Sequence, residues 1–393
     1  MNKAEIKERD QQYIEGTYAR YDLCIESGKG AICKGYDGRE YIDFTSGIGV
    51  NCMGFCDAGW VAAVTKQLGR IQHTSNLFYT EPCGELAELL VKGTGMKKVF
   101  FSNSGAEANE AAIKTARKYS NEKYGNERNE IITLINSFHG RTMATITATG
   151  QAKYHAHFNP FMQGFSYAVA NDIQDLNSKL TEKTCAIMLE IVQGEGGVLP
   201  LDEQYIKAVE KICKVKDILL IVDEIQTGIG RTGKLFAYEH FDISPDLVSF
   251  AKGIGGGLPI GGILIGDKCV GVLKAGNHGT TYGGNPVVCA GGVYIMQQMT
   301  PDFLAEVAKK GTYIKRKIEE MPNVLSVKGL GMMLGIEIEG QEAQAAVALA
   351  LEKGLLLLTA KEKIRLLPPL TIVYDEIDAG LTILEDVLTG EIA

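Results

Sequence analysis

The sequence has no excess of positive charge: 40 Lys and Arg stand against 48 Asp and Glu, a formal net charge of −8. A nucleic-acid surface needs clustered cations to displace counterions, so the balance argues against that class of partner. No apolar run reaches the ~18 residues of a membrane-spanning helix, so no membrane is expected either. The opening stretch, MNKAEIKERDQQY, is polar and charged and unlike a secretory leader. A cytoplasmic location is the default expectation. The nine cysteines are scattered and include no C-x-x-C pair. Reduced thiols are therefore expected rather than a disulfide framework or a zinc site, with Cys185, Cys213, Cys269 and Cys289 filling apolar core. The six histidines form no H-E-x-x-H pattern. His155 and His157 read as part of a polar surface loop, and no metal is expected.

Glycine, by contrast, is abundant: 46 of 393 residues, roughly 12% against an ordinary ~7%. The glycines cluster in short loops, which suggests backbone brought close to a ligand. A chain this long suggests two or three domains, at roughly 150 residues each.

Short apolar runs alternate with helical patterns through the middle of the chain. Strands are expected at KKVFFS (97–102), NEIITLI (129–135), CAIMLEI (185–191), DILLIVDE (217–224), PDLVSFA (245–251) and GGILIG (261–266). Their near-continuous apolar character fits strands covered on both faces. Helical patterns at 105–119, 203–215 and 286–299 lie between or after them, so the fold class is α/β, with a mostly parallel central sheet between helices. Beyond it, helices at 302–320, 341–353 and 376–389 alternate with strands near 324–338 and 356–367, as in a smaller α+β domain. The segment 30–44 reads as a hairpin turning at Asp37-Gly38 and is expected to join that smaller domain. The expected division is 1–55 (part of the small domain), 56–290 (large domain) and 291–393 (small domain).

Three segments carry chemistry. In ILLIVDE (218–224) a buried strand ends in Asp223 and Glu224, where ligands of open α/β sheets bind. Alone, such a pair is equally a helix cap or an ion pair. In PDLVSFAKGIGGG (245–257) a second buried strand runs into Lys252 and a glycine-rich loop. Desolvation there would lower the lysine pKa and make its amine a nucleophile toward carbonyls; a surface lysine is the alternative. Together, one lysine and one aspartate at neighbouring strand ends match the needs of pyridoxal phosphate (PLP): an amine for its aldehyde and an acid for its ring nitrogen. In FFSNSGAEANEAAIKTARKY (100–119) a strand, a small-residue turn and a helix follow one another, so the backbone N–H groups around Ser104, Gly105 and Ala106 form an anion site. Two other patterns fail. GIGRTGKL (228–235) has Leu235 where a P-loop needs Ser or Thr, and GIGRTG lacks the strand and helix context of a dinucleotide site.

These segments together resemble the class III aminotransferases of PLP fold type I, and within them the acetylornithine aminotransferase group, from about Tyr18 to about Leu370. The most specific part is IVDEIQTGIGRTG followed by PDLVSFAKGIGGG. The resemblance implies that Lys252 holds the cofactor and moves the proton, while Asp223 pairs with its ring nitrogen. Gln226 would lie near its phenolic oxygen, Ser104, Gly105 and Ala106 at its phosphate, and Phe138 on its ring with His139 close by. Thr281 would reach the phosphate in a neighbouring subunit, which implies a homodimer with shared sites. Arg141 and Arg365 would bind the substrate carboxylates far from and near to the cofactor, Glu195 would gate Arg365, and Tyr18 would help hold the distal carboxylate.

Two departures stand out. GFCDAGW (54–60) replaces the usual G-H-x-H-P stretch, and Ile191 replaces the usual proline after Glu190, whose role stays open. SNLFYTEP (75–82) nearly fits the acetylornithine-type pattern. The implied reaction is transamination of N2-acetyl-L-ornithine with 2-oxoglutarate, giving N-acetylglutamate 5-semialdehyde and glutamate, in arginine biosynthesis. The alternatives are ornithine, succinylornithine, succinyldiaminopimelate or 4-aminobutyrate as donor. Outside enzymes of this type stand a non-catalytic PLP-binding protein and a nucleotide-binding protein using GIGRTG.

Overall fold

The computed structural model describes residues 2–390. Residue 1 and residues 391–393, the outer ends of the expected domain ranges, lie outside the described residues. The central sheet has seven strands: β1 (Lys98–Ser102), β2 (Glu130–Leu134), β3 (Phe165–Ala168), β4 (Thr184–Leu189), β5 (Leu219–Asp223), β6 (Leu247–Phe250) and β7 (Gly261–Ile265). They lie side by side in the order β1-β7-β6-β5-β4-β2-β3. β7 runs antiparallel to both neighbours, and the pairs among β6, β5, β4, β2 and β3 are parallel. Six strands coincide with the expected apolar runs. The seventh, β3, was not expected: FSYA is short, sits at the sheet edge and buries only Ala168.

β4 to β7 are buried along their whole length. In β5, Leu219 and Ile221 pack with Ala111, Ala112 and Ala116 of the helix Gly105–Tyr124, while Leu220 and Val222 pack with Ile206, Val209 and Cys213 of the helix Glu203–Lys216. Each of the leucine, isoleucine and valine side chains is worth about 1.5–3 kcal/mol of burial. With both faces covered, the usual alternation of apolar and polar residues vanishes from the sequence. Cys185, Cys213, Cys269 and Cys289 are buried within these layers.

The smaller α+β part is built from both ends of the chain. Ile32–Gly35 and Glu40–Asp43 form the expected hairpin, with Gly38 at φ 81 in its turn, and Glu40–Asp43 pairs in parallel with Leu355–Leu356. A second sheet joins Val324–Leu330, Met333–Ile338, Lys363–Leu366 and Leu358–Ala360. The helices Ala58–Leu68 and Glu81–Thr94, absent from the sequence reading, pack on the helix Pro286–Gln298.

The segment GIGRTG serves packing. Arg231, 2% exposed, donates to the carbonyls of Pro368 (2.5 Å) and Met332 (3.3 Å) and to Ser46 Oγ (3.3 Å), so it clasps three distant segments. Gly233, at φ 86, leaves no room for a side chain: a Cβ there would lie 2.7 Å from that of Ala308. Among the described residues no helix is long and apolar enough to cross a membrane.

Candidate active site

Because β2, β4, β5 and β6 run parallel, the segments that follow them emerge at one edge of the sheet, the carboxyl edge. A cavity of ≈ 450 Å³ opens there, and its wall includes Asp223, Gln226, Glu195 and Lys252 together with residues 104–106 and 138–141.

Asp223, the last residue of β5, is 4% exposed. Its Oδ2 accepts from Asn109 Nδ2 (2.7 Å) and from His139 Nδ1 (2.7 Å), and its Oδ1 accepts the N–H of Ile225 (3.0 Å). Three donors from three segments fix the carboxylate's aim. Burial disfavours the His139 imidazolium, but the hydrogen bond to Asp223 and the charges of Asp223 and Glu190 outweigh it, so the His139 pKa is raised. The sequence reading missed Asn109. Its signal was a polar residue on the buried alanine face, between Ala108 and Ala111.

Lys252 follows β6 at φ 48, in the left-handed region. A non-glycine residue held there costs about 1–3 kcal/mol and persists only where its surroundings over-determine it. Burial is the main cause of its lowered pKa. The Arg365 charge lowers it further, against Glu195, Asp223 and Glu190. The amine is thus shifted toward its neutral, nucleophilic form.

Ser104 caps the helix Gly105–Tyr124, its Oγ accepting the N–H of Glu107 at 3.2 Å. N–H groups in that first turn lack acceptors within the helix, and the helix dipole favours an anion there. Gly105 is closely packed: a Cβ would stand 2.8 Å from Ile225 Cδ1, which would have to move. Phe138 and His139 follow β2. The exposed Arg141 lays its guanidinium 4.3 Å from the ring centre of Tyr154 and 5.6 Å from that of Phe138.

Arg365, 3% exposed, touches the wall through two side chains: its Nη1 donates to Glu195 Oε1 (2.5 Å) and to Gln226 Oε1 (3.3 Å). Burial raises the Glu195 pKa, but the Arg365 charge and hydrogen bond outweigh it, and the net shift is downward. Glu190, just past β4, is buried, and burial pushes its pKa to about 8. Tyr18 and Thr281 are not brought to this cavity. Tyr18 is 73% exposed in a groove beside the helix Lys3–Tyr13, and Thr281 is exposed in the loop after Thr280. Among the described residues there is no His, Cys, Asp and Glu cluster able to hold a metal ion.

Comparison with known proteins identifies the family. The profile of the family described as aminotransferase class III matches residues 13–388. The acetylornithine aminotransferase of Haemophilus ducreyi is 50% identical over 99% of this chain and 100% of its own length. Among solved structures, the ornithine aminotransferase of Toxoplasma gondii superposes with a TM-score of 0.95 at 29% identity, covering 99% of this chain and 96% of that one. The N-acetylornithine aminotransferase of Stenotrophomonas maltophilia does so with a TM-score of 0.83 at 35% identity, covering 98% of each.

Proposed function

The chain belongs to the class III aminotransferases, and from that premise we propose that it transfers the terminal amine of N2-acetyl-L-ornithine to 2-oxoglutarate, with PLP as its cofactor. The products are N-acetylglutamate 5-semialdehyde and glutamate. The observation that carries the reading is one cavity wall holding a lysine with a lowered pKa and a triply bonded aspartate.

The residues present fit the cofactor. The helix start at 104–106 offers N–H donors to a phosphate, Asp223 an acceptor to a protonated ring nitrogen, Phe138 an aromatic face, and Gln226 a hydrogen bond. When bound, PLP supplies the electron sink that makes a C–H bond of the donor acidic. Lys252 would hold the cofactor through its amine, and that amine, once free, would carry the proton away from the donor carbon. Arg141 takes the donor's distal carboxylate. Arg365 takes the carboxylate near the reacting carbon when glutamate binds, and Glu195 occupies that arginine when the donor has no carboxylate there.

A second copy of the chain completes the assembly in this reading. Leu77, Phe78, Tyr79 and Tyr282 are exposed on segments that Asn76 ties together through Thr280 O (3.2 Å) and Gly283 O (2.9 Å). An apolar patch of this kind fits a homodimer in which Thr281 reaches the neighbour's phosphate site. We place the enzyme in the cytoplasm, in keeping with its free cysteines.

Substituting Lys252→Ala is expected to remove turnover, the visible absorbance of the bound cofactor and borohydride fixation at this position. A near-normal rate in that variant would refute the assignment. Comparing kcat/KM for acetylornithine, ornithine and 4-aminobutyrate tests the choice of donor.

A further inference from the structure

We propose that Glu190 is a positioning residue, whose carboxyl group ties the loop carrying Phe138 and Arg141 to the turn carrying Glu195. Its Oε2 accepts the backbone N–H of Phe138 at 3.0 Å, and its Oε1 accepts the backbone N–H of Gly194 at 3.3 Å. Both donors lie outside regular strands and helices; Gly194 opens the loop between the short paired strands Val192–Gln193 and Leu199–Pro200, and the ladder leaves its N–H to Glu190. The side chain is 6% exposed and forms part of the cavity wall. His139 and Asp223 are its charged neighbours.

The two tied segments are the ones that handle carboxylates, a point that rests on the function proposed above. Arg141 is three residues from Phe138, and Glu195 directly follows Gly194. The turn is also tightly seated. A Cβ on Gly194 would come within 2.4 Å of Gln226 Oε1, and one on Gly196 within 2.7 Å of Asn136 O. A shift of the turn is therefore passed to Gln226 and, through Glu195, to Arg365. Gln193 adds a bond of the same sense, its Nε2 donating to Ile135 O at 2.9 Å. Glu190 thus sets the spacing between the two carboxylate-binding ends of the site.

Glu224 provides the contrast. It is just as buried, but its oxygens accept from Thr227 Oγ1 (2.5 Å) and the N–H of Tyr238 (2.8 Å), and it has no place in the cavity wall.

The test is Glu190→Gln, with Glu190→Asp as second variant. A carboxyl group accepts on both oxygens whether or not it is protonated, whereas an amide nitrogen cannot accept. The glutamine therefore frees one of the two backbone N–H groups, and the shorter aspartate cannot span both. In the protein without cofactor, amide hydrogen exchange should speed up about 10-fold in segment 136–141 or 193–197 and stay unchanged elsewhere. In the holoenzyme, KM for 2-oxoglutarate should rise about 10-fold while kcat stays within about 3-fold. The visible absorbance and borohydride fixation at Lys252 should be retained. Unchanged protection of both segments, a uniform rise in exchange, or lower activity at constant KM would each overturn the proposal. If Glu190→Gln does not fold, the same readouts on Glu190→Asp decide. The exchange arm needs no cofactor, so failure of the wild-type chain to bind PLP would sink the proposed function and leave this result readable.

Discussion

Arg231 and Arg365 are both buried, 2% and 3% exposed, yet they are held in opposite ways. Arg231 bonds the carbonyls of Met332 and Pro368 and the hydroxyl of Ser46, with no carboxylate among these partners. Burial lowers its pKa to about 10. Glu224, in the same signature, likewise accepts from a backbone N–H and one hydroxyl. Arg365 bonds two side chains, Glu195 and Gln226, and Glu195 keeps 24% of its side chain exposed. A charge fastened to backbone cannot change partner without disturbing the fold. A charge fastened to a carboxylate can exchange it for another carboxylate at little net cost. The first arrangement suits a frame and the second a gate.

The comparison breaks most visibly at Arg231. Arg231→Met strands the carbonyls of Met332 and Pro368, so urea unfolding should show a loss of about 3 kcal/mol. The protein that remains folded should keep a near-normal KM for glutamate, and a raised KM with intact stability would reverse the assignment. Arg365→Gln should do the opposite. Single-turnover rates with glutamate should fall about 10²–10³-fold, as for loss of one partner of a buried charge pair. The reaction with the ω-amino donor should fall far less, and stability should drop less than in the Arg231 variant. Equal losses with both amine donors would remove the gate.

The smallest effect belongs to Glu224, whose pKa burial raises to about 7. The folded state therefore favours the protonated form. That stabilisation is fully present below the unfolded pKa, near 4.5, and is lost as pH rises through about 7. Glu224→Gln mimics the protonated form and can still accept from Tyr238. Its advantage over the wild type should grow from near zero at low pH to about 2–3 kcal/mol above neutrality. Unfolding curves across that range measure it, and a pH-independent difference would show that folding leaves the Glu224 pKa where it is in the unfolded chain.

The frame and the gate were not equally legible in the sequence. Lys252 and Asp223 could be found because each ends a continuous apolar run, and strand ends are where parallel sheets place ligands. The role of Arg231 could not, since its partners lie at residues 46, 332 and 368 and only the folded chain assembles them. The pattern GIGRTG gave a motif that failed and no hint of the clasp. Glu190 is similar: its two bonds reach one loop after β2 and another after its own strand. Missed helices have physical reasons too. Lys3–Tyr13 buries no residue and so shows no apolar stripe to read; Ala58–Leu68 packs on Pro286–Gln298 but fully buries only Gln67.

The parallel pairing of Glu40–Asp43 with Leu355–Leu356 bears on how the protein is made. The hairpin leaves the ribosome before its partner strand, which emerges about 300 residues later, so at about 5–20 residues per second it waits roughly 15–60 s. Throughout that interval one strand edge is open to wrong partners. Residues made later thus close over a strand made long before them, and a polypeptide truncated before residue 355 leaves its hairpin permanently uncapped.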